Sequence, residues 1–232
     1  MNTGGGWIKL CPITSSEEVV IPEVKEGLNK GIPRIFLVNT NREECRIESF
    51  RYLTREEERL LGSYRKESDQ NNYRVTHSIV NYIYANVLHC RIEELPFRRG
   101  KYQKPFISND LNYHYNIAHS KNFALVGLHD RELGVDIESI DEGLGYTAIA
   151  RDLFPREDRE YIQREPRNFF RLWVAKEAYL KFKGTGFYSD LKELAVKGEE
   201  EGKIILLDKT SGSCHPVFMA EHLSCSIGFS CL

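Results

Sequence analysis

The chain has 232 residues, 41% of them hydrophobic, which is enough to bury a sizeable core. Its 32 basic and 34 acidic residues give a formal net charge of −2, so no overall electrostatic attraction draws it to nucleic acid or to a membrane surface. No apolar run approaches the ~20 residues of a membrane span, and the first residues lack a signal-peptide pattern. The six cysteines show no C-x-x-C or zinc-ligand spacing. We therefore expect a cytoplasmic protein with reduced thiols and without nucleic-acid or membrane partners.

The first part of the chain mixes predicted strands and helices. Residues 1–30 combine Gly, Glu, Lys and Pro, which predicts an N-terminal extension that packs at most locally. The apolar residues 32–38 indicate a buried strand. Thr54 followed by Glu57 is typical of a capped helix N-terminus. Between residues 72 and 89 apolar side chains recur at three- and four-residue spacing, which predicts one long amphipathic helix.

The second part continues this mixture. Residues 113–118 and 123–129 alternate like paired strands, and a turn at residues 130–132 leads to a third strand, so we predict an antiparallel meander. The remaining predicted elements are helices at 146–153, 155–164 and 168–182 and strands at 203–207 and 217–229. Both halves therefore mix helices with strands, which indicates an α+β fold.

The third strand carries two acidic residues. The segment Leu133-Gly-Val-Asp-Ile-Glu138 alternates apolar and acidic residues, so Asp136 and Glu138 project from the same face of a half-buried strand. Neighbouring carboxylates resist ionising together unless a cation lies between them, and their oxygens suit Mg²⁺, which also binds substrate phosphate. We interpret the segment as a metal–phosphate site. The structural alternative is a solvent-facing edge strand with two charges.

An acid and a base share one stripe of the predicted helix 168–182. Phe170, Trp173, Glu177 and Lys181 follow one another at three- and four-residue steps. The structural alternative is an exposed Glu–Lys pair beside a core aromatic residue. For Trp173 we favour a place in the core.

A histidine and a basic loop offer candidate anion ligands. His119 ends a predicted strand and is either a hydrogen-bonded turn residue or a phosphate-binding imidazole. The loop that carries Arg98, Arg99, Lys101 and Lys104 either holds phosphate or is only solvated.

Taken together, these segments resemble the 4'-phosphopantetheinyl transferases, specifically the larger type that serves peptide and polyketide synthases of secondary metabolism. The resemblance implies two similar α/β subdomains related by a pseudo-twofold axis, each with antiparallel strands packed against a long helix. The subdomains would span residues 31–131 and 132–232, the second with the metal-site motifs. The matching motifs, in family order, are Lys104-Pro105, Asn116-Ile-Ala-His-Ser120, Gly134-Val-Asp-Ile-Glu138 and Phe169-Phe-Arg-Leu-Trp-Val-Ala-Lys-Glu-Ala-Tyr-Leu-Lys181.

The resemblance implies an activity as well as a fold. Such a monomeric enzyme transfers the 4'-phosphopantetheine group from coenzyme A to a serine of an apo acyl or peptidyl carrier protein and releases 3',5'-ADP. The co-substrate is coenzyme A and the metal is Mg²⁺, with Mn²⁺ as a possible substitute. By resemblance, Asp136, Glu138 and Glu177 hold the metal at the pyrophosphate, and His119 and Lys181 contact the phosphates.

The resemblance assigns further cofactor contacts to basic and polar residues. Ser120 follows the motif histidine. Of Lys101 and Lys104 we choose Lys104 for phosphate because a proline follows it. Arg51, Arg65 and Arg74 are candidates for the 3'-phosphate, and of these we choose Arg74 because it opens the predicted long helix. Lys176 either assists or pairs structurally.

The proton acceptor remains open among several groups. The family pattern puts an acid at Glu157 or Asp158, while Glu177 or a metal-bound water could serve instead. The structural alternative for Glu157 and Asp158 is that acids in the first turn of a helix interact favourably with its dipole.

Two departures from the family pattern motivate other hypotheses. Ala118 stands where the family often has Ser, and the loop Gly100-Lys-Tyr-Gln-Lys-Pro105 is two residues longer. They motivate the alternative function, a non-catalytic coenzyme A-binding homologue. A third hypothesis, a metal-dependent phosphohydrolase, comes instead from the acidic residues, because carboxylates with Mg²⁺ also suit hydrolysis.

Overall fold

A computed structural model describes residues 9–41, 45, 47–108, 111–141, 143–186, 189–222 and 224–231. The chain divides into two compact units. Unit 1 consists of the residues up to Gly100 together with Pro105–Glu132, and unit 2 consists of Lys101–Lys104 together with the residues from Leu133 onward. Both mix helices with antiparallel strand pairs, so the α+β prediction is confirmed at this level. A pseudo-twofold relation between two halves stays a prediction.

Unit 1 has a four-stranded sheet in the order β1-β2-β6-β5, in which only the β1–β2 pair is parallel. The strands β3 and β4 form a separate antiparallel pair. Helix α3 packs on β5 and β6 and buries an apolar stripe. The elements are β1 (Lys9–Pro12), α1 (Ile21–Asn29), β2 (Arg34–Asn39), α2 (Arg55–Leu61), α3 (Glu67–Leu88), β3 (Phe97–Arg99), β4 (Pro105–Ile107), β5 (His114–Ser120) and β6 (Phe123–His129).

The first residues of α2 and α3 show how far the local sequence predicts where a helix begins. Thr54 caps α2 in a complete capping box, because its hydroxyl accepts from the Glu57 N–H and the Glu57 carboxylate accepts from the Thr54 N–H. This confirms the predicted start. Helix α3 begins at Glu67, earlier than the predicted residue 72, because its first turns are polar and carry no apolar periodicity.

Residues 9–30 belong to the fold of unit 1, which corrects this part of the N-terminal extension expected over residues 1–30; residues 1–8 lie outside the described residues. Strand β1 pairs in parallel with β2. Helix α1, with a proline in its first turn, buries Val24 and Leu28 in the core. The apolar residues Ile21, Val24 and Leu28 of this helix are interspersed with charged residues, Pro22 and Gly27, so composition alone concealed the helix.

Unit 2 has a five-stranded antiparallel sheet in the order β7-β11-β10-β9-β8, with α6 across it. No described helix is long and apolar enough to cross a membrane. The elements are β7 (Leu133–Ser139), α4 (Tyr146–Leu153), α5 (Arg156–Ile162), α6 (Arg167–Lys183), β8 (Leu194–Glu200), β9 (Lys203–Asp208), β10 (Ser213–His222) and β11 (Cys225–Cys231).

The predicted three-stranded meander is wrong at its third strand. The β5–β6 pair is present as predicted. Strand β7, however, pairs with β11 in the sheet of unit 2. Strand β6 already has β5 on one edge and β2 on the other, so it has no edge left for β7.

Two glycines let α6 lie close to the sheet. A methyl group added at Gly134 of β7 would lie 1.9 Å from the Ala178 carbonyl oxygen of the helix. One added at Gly228 of β11 would lie 2.8 Å from Val174 Cγ1. Because side chains alternate along a strand, this contact also fixes which residues of β7 and β11 face α6.

Candidate functional site

Three carboxyl groups come together between β7 and α6. Since Gly134 faces the helix, Asp136 and Glu138 face it too. Glu177 of α6 is 7% exposed. Burial raises its pKa, the nearby charge of Asp136 and that of Glu138 raise it as well, and Lys181 opposes them. The carboxyl groups therefore interact electrostatically across the contact between helix and strand.

One lysine offsets part of this negative charge. Lys181, one helical turn after Glu177, donates from Nζ to Asp136 Oδ1 at 2.7 Å. Its side chain is 28% exposed, whereas that of Asp136 is 9% exposed. The site thus holds an ammonium group that is partly open to solvent beside a buried carboxylate.

Glu177 has an oxygen that nothing in the described residues satisfies. Its Oε1 is buried and has no hydrogen-bond partner there. A buried unsatisfied polar atom costs free energy, more so when it is charged. Such an atom is suited to a ligand that supplies positive charge.

The donor set fits a hard divalent cation by its chemistry. Three carboxylates face one ammonium, and carboxylate oxygens are the ligands that Mg²⁺ prefers. Nevertheless, no group of three His, Cys, Asp or Glu side chains in the described part of the chain is arranged to hold a metal ion. Asp136 is instead engaged by Lys181. The oxygens would have to turn toward a common centre to bind a cation.

Lys176 and Asp158 form a buried ion pair in the interior of unit 2. Both side chains are 0% exposed. The Lys176 ammonium donates to Asp158 Oδ2 and to the carbonyls of Leu191 at 3.0 Å and Leu194 at 2.8 Å, so its three donors are used. Asp158 Oδ1 accepts from the Val196 N–H at 2.7 Å. This geometry favours the structural alternative for both residues.

The pKa values of Lys176 and Asp158 reflect both their burial and their mutual attraction. Burial lowers the pKa of Lys176 to about 8, against the effect of Asp158. Burial raises the pKa of Asp158, against the effect of Lys176. The Lys176 ammonium also lies 4.3 Å from the centre of the Phe154 ring. These contacts join α5 and α6.

Glu157 has a different environment from its neighbour Asp158. Its side chain is 60% exposed and lies 3.9 Å from Lys209 Nζ. A backbone hydrogen bond and the Lys209 charge lower its pKa. Glu157 is therefore an ionised carboxylate that a solvent-borne group can reach.

The two candidate lysines of the loop differ in their contacts. Lys104 Nζ donates to the Leu133 carbonyl at 3.0 Å, so it holds the loop to the start of β7. Lys101 is exposed, with its ammonium 5.2 Å from the Tyr102 ring. Of the two, Lys101 has the ammonium that is more open to a ligand.

The other predicted cofactor contacts lie in unit 1. His119 is exposed near the end of β5, and Ser120 is buried beside it. Arg74 lies inside α3 instead of opening it, because the helix begins at Glu67. With Arg65, Arg74 lines a pocket of about 660 Å³, which Glu48 and Glu67 line as well.

Sequence reasoning missed the part that β11 plays. Gly228 lies opposite Asp136 in the sheet, and its lack of a side chain admits α6 to the carboxylate site. Gly228 itself was the sequence signal, because a glycine inside an apolar strand often marks a close approach of another backbone.

Comparison with known proteins gives a consistent match over this region. The family model for the 4'-phosphopantetheinyl transferase superfamily matches residues 132–226, which include β7 and α6. A 4'-phosphopantetheinyl transferase of Aneurinibacillus migulanus is 31% identical over 51% of each chain. An L-aminoadipate-semialdehyde dehydrogenase-phosphopantetheinyl transferase of Candida glabrata is 31% identical over 46% of this chain and 47% of its own. The chain thus spans about half the length of these two relatives.

A longer match extends beyond unit 2. A putative 4'-phosphopantetheinyl transferase of Synechocystis is 30% identical over 171 residues, which are 70% of this chain and 69% of the relative. The alignment exceeds the stretch that carries the carboxylates and Lys181. The chain therefore belongs to the 4'-phosphopantetheinyl transferase superfamily.

Proposed function

We propose that this protein transfers the 4'-phosphopantetheine group of coenzyme A to a serine of an apo acyl or peptidyl carrier protein. The observation that carries the proposal is the Asp136–Lys181 ion pair beside buried Glu177, within the region that matches the family. The buried Glu177 oxygen, which has no partner among the described residues, suits a cation. The arrangement is therefore suited to a reaction that needs a cation and a phosphate together.

The carboxylates are the groups that would hold Mg²⁺, or Mn²⁺ in its place. Asp136, Glu138 and Glu177 supply hard oxygen ligands on one face, and Glu177 Oε1 has no competing partner among the described residues. A divalent cation held there would stabilise negative charge on the pyrophosphate oxygens of coenzyme A. Lys181, partly exposed, can donate to a phosphate oxygen when it leaves Asp136.

The reaction exchanges one phosphorus–oxygen bond for another. The serine Oγ of the carrier forms a bond to the β-phosphorus, and the bond from that phosphorus to the bridging oxygen breaks. The leaving group, 3',5'-ADP, takes the electron pair, and the serine proton passes to a base. Because negative charge spreads over the phosphoryl oxygens, an ammonium group beside them, the role we propose for Lys181, would lower the barrier.

Two carboxylates remain candidates for that base. Glu177 has a raised pKa, which makes it a stronger base than an ordinary glutamate. Glu157 is ionised and exposed, so the carrier serine can reach it directly. Asp158 we assign to the fold, together with Lys176, because their charges satisfy each other.

For the remaining coenzyme A contacts we propose His119, Ser120, Arg74 and the loop lysines. The exposed imidazole of His119 can donate to an anion. Arg74 shares its pocket with Arg65, and paired guanidinium groups suit the 3'-phosphate. Lys101 is preferred over Lys104 for phosphate, since Lys104 is engaged with the Leu133 carbonyl.

We also propose that the enzyme acts as a monomer in the cytoplasm, on carriers of peptide or polyketide synthases. The carboxylates and Lys181 all come from one chain, so the proposed metal site needs no second copy. None of the six cysteines, all at described positions, forms a disulfide, which suits a reducing compartment. Two related halves with a pseudo-twofold axis are part of the same proposal.

The test compares site variants with a matched control. Asp136→Asn and Glu177→Gln keep size and shape but remove the ligand charge, so both are expected to lower the rate of carrier modification by ~10²-fold or more. Glu200→Gln, at an exposed position of β8, is expected to leave the rate unchanged. The rate is measured from intact masses of the carrier. Full activity in both site variants would contradict the proposal, and release of 3',5'-ADP without carrier would indicate a phosphohydrolase.

A further inference from the structure

The strand next to the acidic strand carries a buried hydroxyl group that has no partner. Ser226 of β11 is 0% exposed, and its Oγ has no hydrogen-bond partner among the described residues. Most buried polar groups of native proteins are hydrogen-bonded, and an unpaired one costs free energy. A buried serine hydroxyl without a hydrogen-bond partner needs a physical explanation.

The register of the sheet puts this hydroxyl beside the carboxylates. Ser226 lies directly opposite Glu138, and Gly228 lies opposite Asp136. Position 228 faces α6, because a methyl there would meet Val174. Position 226 faces the same side by strand alternation. Directly opposed residues have Cβ atoms ~4.5–5.5 Å apart, so the Ser226 hydroxyl is within reach of the Glu138 side chain.

Other buried polar atoms near this face also lack a hydrogen-bond partner among the described residues, among them Glu177 Oε1 on the helix that covers the face. Glu177 Oε1 is an acceptor, whereas the Ser226 hydroxyl can donate. Both atoms lie at one face. This indicates that the side chains of the site can adopt a second arrangement, in which the Ser226 hydroxyl and Glu177 Oε1 each have a partner.

We propose that Ser226 is a positioning residue of the carboxylate site, whose hydroxyl donates a hydrogen bond to the Glu138 carboxylate and orients it toward a bound divalent cation. The inference rests on the proposed function, because it assumes that Glu138 is a ligand. Groups that orient metal ligands typically contribute 10- to 100-fold, roughly, to metal affinity. In this role Ser226 acts through Glu138.

The test measures binding of Mn²⁺ alone to the full chain, by the loss of free-ion signal in electron paramagnetic resonance. Ser226→Ala removes one oxygen atom and is expected to weaken Mn²⁺ binding by ~10-fold or more. The matched control is Ser230→Ala, because Ser230 is 1% exposed on the same face of β11 but lies opposite Gly134. It is expected to leave the Mn²⁺ dissociation constant unchanged.

A second measurement separates this role from simple packing. Because Ser226→Ala removes an unsatisfied buried hydroxyl, the metal-free variant is expected to unfold at a Tm higher by ~2–4 °C. Weaker cation binding in a more stable protein is a result that damage to the core cannot produce. At saturating Mn²⁺ the variant is expected to recover the wild-type kcat of carrier modification.

Each outcome bears on one of the two claims. An unchanged Mn²⁺ dissociation constant in Ser226→Ala overturns the positioning role, whereas a wild-type protein that still modifies its carrier leaves the proposed function standing. A wild-type chain that binds no Mn²⁺ and modifies no carrier overturns both.

Discussion

At the scale of single residues, the ammonium of Lys181 competes with any cation for Asp136. The two groups are 2.7 Å apart, and Asp136 is buried. An ion pair of this kind satisfies a carboxylate that would otherwise be left charged and buried. On the proposed function, a cation bound there would displace Lys181 from Asp136, and the freed ammonium would be available to a phosphate.

Replacing Lys181 is accordingly expected to change cation binding and activity in opposite directions. Lys181→Gln removes the competing charge, so Mn²⁺ alone binds more tightly. The same change removes a phosphate donor, so kcat/KM for carrier modification falls by ~10²-fold. Lys197→Gln, at an exposed position of β8, changes net charge equally and controls for general electrostatics. Weaker Mn²⁺ binding in Lys181→Gln would contradict the competition.

The raised pKa of Glu177 predicts a pH dependence of stability. The folded protein binds this proton more tightly than the unfolded chain, whose glutamate has its ordinary pKa of 4.5. Stability of the metal-free protein should therefore fall as pH rises from that value through the raised folded pKa. Glu177→Gln should lack this fall and have the higher Tm at neutral pH. The measurement is thermal unfolding across pH 4 to 8, and parallel curves for both proteins would refute the assignment.

At the scale of elements, α6 is joined to α5 by a buried ion pair and approaches the sheet closely at two glycines. Lys176 and Asp158 join it to α5, and Gly134 and Gly228 let it lie close to β7 and β11. The helix carries Glu177 to Asp136, so its position determines the geometry of the site. The ion pair and the glycines can be tested separately.

Breaking the ion pair is expected to destabilise the protein strongly. Lys176→Met leaves Asp158 charged and buried without its partner, which should reduce the free energy of unfolding by ~3–5 kcal/mol. The double variant Lys176→Met/Asp158→Leu should recover much of this loss, because no uncompensated charge remains. Denaturant unfolding measures both. A stable Lys176→Met variant without activity would instead indicate a direct contact of Lys176 with coenzyme A.

Moving the helix off the sheet should have an effect of its own. Gly134→Ala puts a methyl group into the Ala178 carbonyl, so α6 must shift, at a cost of ~1–3 kcal/mol. Carrier modification should fall as Glu177 moves with the helix. Gly198→Ala is the matched control, because a methyl there meets nothing within 4 Å. Equal stability and activity of the two variants would show that the close approach is unimportant.

The elements also show what the sequence can and cannot determine. The Thr54 capping box, the β5–β6 pair and the bounds of α4 follow from local patterns and are as predicted. The pairing of β7 depends on a strand some 90 positions later, and a turn pattern carries no information about it. The same limit hid the contribution of residues 9–29 to unit 1.

The site residues also fall into those that the sequence could indicate and those that only the structure shows. The motifs indicated Asp136, Glu138, Glu177 and Lys181, and the structure places them along one contact between β7 and α6. A motif cannot show whether a lysine is buried, so Lys176 was a candidate for coenzyme A although its donors are used inside the protein. Ser226 lies in no motif, and only the register of the sheet brings it to Glu138.

At the scale of the whole molecule, the family and the local chemistry point to the same reaction. The chain belongs to a superfamily of transferases, and we propose that its acidic site holds a cation that acts on the pyrophosphate of coenzyme A. Net charge and composition alone gave no indication of a phosphate substrate. The proposal of a phosphate substrate therefore rests on the acidic residues and Lys181 of the site.

The most direct test incubates the protein with coenzyme A, Mg²⁺ and a panel of apo carrier proteins, and reads the intact mass of each carrier. We expect an addition of ~340 Da, the phosphopantetheine group, on at least one carrier, and its disappearance when a chelator removes the cation. Unmodified carriers throughout the panel, with coenzyme A still bound to the protein, would contradict the transferase and favour a coenzyme A-binding module.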